Sequence, residues 1–201
     1  MNEMVSMPVS GISPYALTLS SADRAVLKSQ RPRCLWLTGL SGAGKSTLAN
    51  ALELQLNQRG LHTFVLDGDN LRAGLCRDLG MDPESRRENI RRMAEVARLM
   101  VDAGLIVIVA AISPFRSDRD AARALFAEGE FIEVYVSTPF DVCERRDPKG
   151  LYLAARQGRL KSFTGIDSPY EAPLSPECEI DTQALEMAQA CRRLTDALLK
   201  K

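Results

Sequence analysis

At 201 residues, 45% of them hydrophobic, the chain suits one globular domain with a full core. Lys plus Arg and Asp plus Glu balance at 26 each, which excludes a general nucleic-acid binder, since that class carries a basic excess. No apolar run approaches the ~20 residues of a membrane helix.

Residues 1–30 contain Pro8, Gly11 and Pro14 and no long periodic pattern. They read as an irregular N-terminal extension with a short helix near 22–28, ahead of a single domain over 31–201. Cys34-Leu35-Trp36-Leu37-Thr38 is a short apolar run ending at a glycine, the pattern of a buried strand. Residues 46–58 place Leu48, Ala49, Leu52 and Leu56 on one helical face, with Gly60 as the stop. Thr63-Phe64-Val65-Leu66 reads as a second strand, ending at Asp67-Gly68-Asp69-Asn70. Ile90, Met93, Ala94, Ala97 and Val101 recur at three- and four-residue spacing, which predicts a helix over 86–103 closed by Gly104. A third strand over 105–111, a helix over 118–126, a fourth strand over 131–136 and a short helix over 139–145 come next. Residues 147–176 hold four prolines together with Gly150, Gly158 and Gly165, the composition of a mobile lid or binding loop. A short strand near Glu179-Ile180 and a helix over 183–199 close the domain. Continuously apolar strands alternating with helices predict an α/β fold, a doubly wound parallel sheet covered on both faces.

Cys34, Cys76, Cys143, Cys178 and Cys191 are odd in number and scattered, and there is a single histidine. No metal-ligand pairing is visible. With no signal pattern at the N-terminus, the thiols read as reduced packing residues of a cytoplasmic protein.

Three stretches carry chemistry. Gly39-Leu40-Ser41-Gly42-Ala43-Gly44-Lys45-Ser46, with Thr47 next, fits the G-x-x-x-x-G-K-[ST] phosphate loop and sits between a strand and an amphipathic helix, the context that motif needs. Glycines let successive N–H groups point at phosphate oxygens, Lys45 reaches the β- and γ-phosphates of ATP, and Ser46 offers a hydroxyl to Mg²⁺. Asp67 and Asp69 lie at the carboxyl end of the second strand, the edge where open α/β sheets bind ligands; Asp-Gly is also ordinary turn chemistry. Between Arg72 and Arg123 the chain has ten arginines. Arginine forks bind phosphate and sulfate oxygens bidentately, while pairing with Glu84, Glu88 and Glu95 on a solvated helix is the plainer reading.

The ordered set of motifs closely resembles the adenylyl-sulfate kinase family of P-loop kinases. The stretches are Leu-Thr-Gly-Leu-Ser-Gly-Ala-Gly-Lys-Ser-Thr at 37–47, His-Thr-Phe-Val-Leu-Asp-Gly-Asp-Asn-Leu-Arg at 62–72, Asp-Leu-Gly at 78–80, Arg-Arg-Glu-Asn-Ile-Arg-Arg at 86–92, Ile-Ser-Pro-Phe-Arg at 112–116, Asp-Arg-Asp at 118–120, Arg-Asp-Pro-Lys-Gly-Leu-Tyr at 146–152, Phe-Thr-Gly-Ile at 163–166 and Pro-Tyr-Glu-Ala-Pro at 169–173. The resemblance covers roughly residues 22–199. It implies a P-loop kinase fold with strand order 2-3-1-4-5, a lid over 147–176, and transfer of the ATP γ-phosphate to the 3′-hydroxyl of adenylyl sulfate in sulfate assimilation. It implies that Arg72, Arg86, Asn89, Ile112, Ser113, Lys149 and Phe163 bind adenylyl sulfate, with Phe163 stacking on its adenine. Asp69 would orient or deprotonate the acceptor hydroxyl beside Lys45. Arg146 would lie near the ATP base. Ser113 matches a serine that some members phosphorylate and that is often labelled the active-site residue, although in-line transfer needs no protein nucleophile. Family members are commonly homodimers, and a sulfate adenylyltransferase is the protein partner such a kinase could meet.

The chain departs from the family pattern where Met81 replaces a phenylalanine that faces the adenine, where Ala110-Ala111 replace Ser-Phe, where Cys76 replaces an asparagine, and where Leu153 and Ala154 replace lid lysines. Two rival functions remain open in the sequence: another small-molecule P-loop kinase, and a degenerate nucleotide-binding module that regulates a sulfurylase.

Overall fold

The structure, a computed structural model, describes residues 15–200. The first fourteen residues of the expected extension lie outside the described residues. In chain order the elements are α1 (Ser21–Leu27), β1 (Arg33–Thr38), α2 (Lys45–Asn57), β2 (Thr63–Asp67), α3 (Gly68–Ala73), α4 (Pro83–Asp102), β3 (Ile106–Ala110), α5 (Arg116–Arg123), β4 (Phe131–Val136), α6 (Phe140–Arg146), α7 (Leu151–Arg156), β5 (Cys178–Ile180) and α8 (Met187–Leu199). The five strands pair in parallel in the order β2-β3-β1-β4-β5, the order the sequence resemblance implies.

Strand periodicity divides the core in two. Leu35 and Leu37 of β1, with Ile106 and Ile108 of β3 and Ile132 and Val134 of β4, face α2 and α8. Cys34 and Trp36 of β1, with Val107 and Val109 of β3, face α4. On that second side β4 contributes Glu133, a carboxylate buried to 9% exposure, and Tyr135, which stacks on Tyr170 with centroids 6.1 Å apart. All five cysteines are free, and none is exposed. No helix among the described residues is long and apolar enough to cross a membrane.

Helix starts differ from the periodicity reading for capping reasons. Apolar spacing begins only at Ile90, but α4 starts at Pro83 because Asp82 accepts the Ser85 N–H at 2.9 Å and proline is tolerated in the first turn. The last helix starts at Met187, where Glu186 and Gln189 form a capping box. A short helix also begins at Gly68, capped by Asp67, whose Oδ1 accepts the Asp69 N–H at 3.0 Å.

The helix expected near 22–28 is present as α1 and docks against α4. Gln30 bridges the starts of two strands, donating to the carbonyls of His62 at 2.9 Å and Gly104 at 2.8 Å. Gly104 closes α4 in the left-handed region, φ +88°, and a Cβ there would lie 3.0 Å from the Arg24 carbonyl of α1. Gly60 has a similar φ, +78°, with nothing within 4 Å. Gly60→Ala should therefore cost only the left-handed penalty, about 1–2 kcal/mol. Gly104→Ala should cost measurably more in urea unfolding, because α1 must also shift. Equal losses would mean that α1 is not held against this turn.

Candidate functional site

The carboxyl ends of β1, β2 and β3 open onto one cavity of about 710 Å³. The 39–44 loop forms its floor. Gly39 presses against β4: a Cβ there would stand 2.5 Å from the Val136 carbonyl oxygen. Gly44, at φ +98°, feeds the chain into α2. Lys45, the first residue of α2, is 8% exposed, and its ammonium donates to the carbonyls of Gly39 at 2.9 Å and Leu40 at 2.8 Å. Burial pushes its pKa down to about 8. Two threonines steady the loop from behind, Thr138 and Thr182, each donating to the Ala43 carbonyl, at 3.0 and 2.8 Å.

At the β2 end Ser46 donates its hydroxyl to Asp67 Oδ2 at 2.6 Å. Asp67 is thus committed on both oxygens, while Asp69 turns its carboxylate to Lys149 of the lid in an exposed ion pair. The donor set suits a hard cation: a hydroxyl and a carboxylate at the phosphate loop. Among the described residues no cluster of three or more His, Cys, Asp or Glu could hold a metal alone.

The opposite wall comes from α3, α4 and the turn after β3. Asn89 is 5% exposed, and its Oδ1 has no hydrogen-bond partner among the described residues. Arg72 donates to the Gly80 carbonyl at 2.9 Å. Arg86 donates to Ser162 and, at 3.3 Å, to Thr164, so it already grips the lid. Ser113 is 1% exposed with φ +38°, and its hydroxyl accepts the Trp36 indole N–H at 3.1 Å. The remaining arginines of the enriched stretch are mostly structural. Arg91 and Arg92 both bond Glu88 and hold its pKa down at about 2, Arg98 pairs with Asp102, and Arg119 and Arg123 pair with Glu133 and Glu177. Glu84 makes no ion pair among the described residues, unlike Glu88 and Glu95.

Residues 147–176 fold over the loop. The Asp147 carboxylate accepts the N–H groups of Tyr152 and Leu153 at 3.1 and 3.0 Å, which anchors the first turn of α7. The Tyr152 hydroxyl donates to the Ser41 carbonyl at 2.9 Å. Phe163 is 5% exposed and edge-on to Tyr152, centroids 4.9 Å apart. Arg146 donates to Thr182 Oγ1 at 2.7 Å.

Of the residues to which the sequence assigned a catalytic or binding role, only Gly39, Leu40 and Ala43 do not line the cavity; they hold Lys45 and the loop from behind. Sequence reasoning missed Thr182, Met187 and Lys161, which also line it, and Trp36, Thr38 and Arg119, which support it. Thr38 carried a signal, as the last polar residue of an apolar strand just before Gly39. Arg119 carried one too, as one of the ten arginines of the enriched stretch and part of the Asp-Arg-Asp match at 118–120; the others carried none.

A model of the adenylylsulphate kinase family matches residues 31–181. The chain is 59% identical over 190 residues to the adenylyl-sulfate kinase of Shewanella sp. (strain MR-7), covering 94% of this chain and 93% of that protein. It is also similar to the Mycobacterium tuberculosis APS kinase CysC solved in complex with AMPPNP and APS, with TM-score 0.81, 45% identity, 85% of this chain and 99% of that chain. An unliganded sugar kinase from Janibacter sp. HTCC2649, at TM-score 0.55 and 21% identity over 83% of this chain and 94% of that one, shares the fold alone. The phosphate loop, the acidic end of β2 and the arginine-bearing wall thus occur in a chain that belongs to the adenylylsulphate kinase family.

Proposed function

We propose that the chain transfers the γ-phosphate of ATP to the 3′-hydroxyl of adenylyl sulfate, giving ADP and 3′-phosphoadenylyl sulfate. The observation that carries this reading is one cavity in which the phosphate loop faces Asn89, whose buried Oδ1 has no partner among the described residues, with Arg72 and Arg86 on the same wall. A buried unsatisfied amide is costly unless a ligand pairs with it. Backbone N–H groups of the loop and Lys45 would cradle the polyphosphate and stabilise charge on the transferring group. Arg72, Arg86, Asn89, Lys149 and the 112–113 backbone would hold the acceptor, and Phe163 would contact its adenine. The Ser113 hydroxyl accepts the Trp36 indole N–H and keeps its own proton to donate. Asp69 would orient the 3′-hydroxyl and take its proton. Mg²⁺ would be held by Ser46, with Asp67 accepting from that hydroxyl, and would supply charge neutralisation at the phosphates. Arg146 would flank the ATP base. A homodimer fits the exposed apolar residues Leu17, Leu19, Val26 and Leu27 of the N-terminal segment. The unpaired thiols fit a reducing, cytoplasmic compartment.

Coupled ADP release tests the reaction and the two acidic residues together. The wild-type protein should release ADP only when adenylyl sulfate is added. Asp69→Asn should lower kcat by about 10² or more, as expected for loss of a general base. Asp67→Asn should act chiefly through the KM for Mg-ATP, since Asp67 bonds Ser46. The reverse pattern would exchange their roles, and ADP release independent of adenylyl sulfate would remove the acceptor assignment.

The depressed pKa of Lys45 predicts a proton linkage. Near pH 8 the free ammonium is about half deprotonated, and phosphate beside it favours the charged form. ATP binding should therefore take up about half a proton at pH 8, and affinity should fall as pH rises through 8. Calorimetry in two buffers of different ionisation enthalpy reads the uptake directly, and identical heats would place the Lys45 pKa well above 8.

Met81 sits at the cavity mouth, 55% exposed. A thioether offers the adenine a weaker and less rigid surface than a ring. Met81→Phe should tighten adenylyl sulfate binding roughly two- to tenfold, the increment of an aromatic pair, with ATP binding unchanged. An unchanged dissociation constant, measured with ADP present, would place the adenine elsewhere.

A further inference from the structure

The acceptor wall at Ile112 and Ser113 is gripped by side chains that do not line the cavity. Ser113 holds a positive φ, a conformation that persists in a residue with a Cβ only where the surroundings over-determine it. The surroundings here are three donors. The Trp36 indole N–H donates to Ser113 Oγ at 3.1 Å, the Thr38 hydroxyl donates to the Ile112 carbonyl at 2.7 Å, and Arg119 Nη1 donates to the Ser113 carbonyl at 2.7 Å.

Arg119 does more than hold Ser113. Its side chain is 2% exposed. Nε donates to Glu133 at 2.6 Å, and Nη2 donates to the Glu171 carbonyl at 2.8 Å. The guanidinium also lies 6.0 Å from the centre of the Tyr170 ring. Glu171 returns the grip, donating its N–H to the Pro114 carbonyl at 2.8 Å and accepting the Arg116 N–H at 2.8 Å. The Tyr170 hydroxyl lies 3.0 Å from the Thr38 hydroxyl. One buried fork therefore joins β4, the cavity wall and the 169–173 strap within the lid.

We infer that Arg119 is a positioning residue for the acceptor substrate: it sets the 112–113 wall and ties it to the 169–173 strap of the lid. This rests on the proposed contact between adenylyl sulfate and residues 112–113. Three acceptors around one planar fork cannot all be reached by a lysine, whose three donors sit on a single tetrahedral nitrogen. Arg119→Lys keeps the charge opposite Glu133 and loses the geometry.

Trp36 is the only tryptophan in the chain, so its indole N–H is a site-specific reporter of the wall. With the indole labelled with ¹⁵N, saturating adenylyl sulfate should shift its resonance in the wild-type protein. In Arg119→Lys the resonance should already be displaced without substrate. The KM for adenylyl sulfate should rise about tenfold, the scale of one lost charge-assisted hydrogen bond, with the KM for ATP within about twofold of wild type. A folded Arg119→Lys protein with wild-type resonance and wild-type KM overturns the inference. So does a parallel rise in both KM values with a fallen Tm, which would mark a general packing role. If Arg119→Lys does not fold, Glu133→Gln decides, since it leaves the guanidinium in place and weakens the charge-assisted bond that orients it through Nε: it should displace the resonance and raise the KM for adenylyl sulfate in the same direction by a smaller factor, and no change in either overturns the inference. A wild-type indole that ignores adenylyl sulfate during normal turnover would instead overturn the contact at 112–113.

Discussion

Everything at the active edge depends on how closely the chain passes β4 as it leaves the central strand. A Cβ at residue 39 would meet the Val136 carbonyl at 2.5 Å, and one at residue 42 would meet the Cys143 carbonyl of α6 at 2.7 Å. Only glycine fits at either place. The loop is therefore wedged between the end of β4 and α6, and its remaining freedom is removed by threonine hydroxyls on the Ala43 carbonyl. With the backbone so fixed, helix α2 must present Lys45 inward, where two carbonyls hold the ammonium against the cost of burial. The acidic end of β2 then meets the loop through Ser46.

The arginines divide according to what burial demands. On the outer face of α4 they pair with acids in solvent, where such pairs contribute little. Beneath the sheet edge, Arg119 and Glu133 are taken out of water together, which is tolerable only if the remaining donors are satisfied as well. The carbonyls of Ser113 and Glu171 do that. Because those two carbonyls belong to the cavity wall and to the 169–173 strap of the lid, satisfying one buried charge also fixes functional geometry.

The departures from the family pattern fall where the phosphate cradle is not disturbed. Ala110 and Ala111 are buried at 3% and 6% exposure beside Gly68, so small side chains there let α3 start close against the end of β3. Cys76 is fully buried. Met81 and Leu153 are exposed at 55% and 56%, so the cavity mouth and the outer lid face carry the changes in character.

The sequence alone determined the sheet, because strands buried on both faces must be apolar throughout and the helices between them must repeat at three and four residues. It also determined the phosphate loop, since the spacing of glycines, lysine and serine encodes a local backbone shape that tertiary contacts then only brace. Helix starts at Pro83 and Met187 were hidden because caps are made by polar residues outside the apolar repeat. The assignment of individual arginines was hidden too: Arg86 and Arg91 look alike in the chain, yet one faces the cavity and the lid and the other faces water. The network of Trp36, Thr38, Arg119 and Tyr170 could only come from the tertiary structure. Its members are separated by up to 134 positions, and a hydrogen bond depends on distance and direction in space, which no spacing along the chain records.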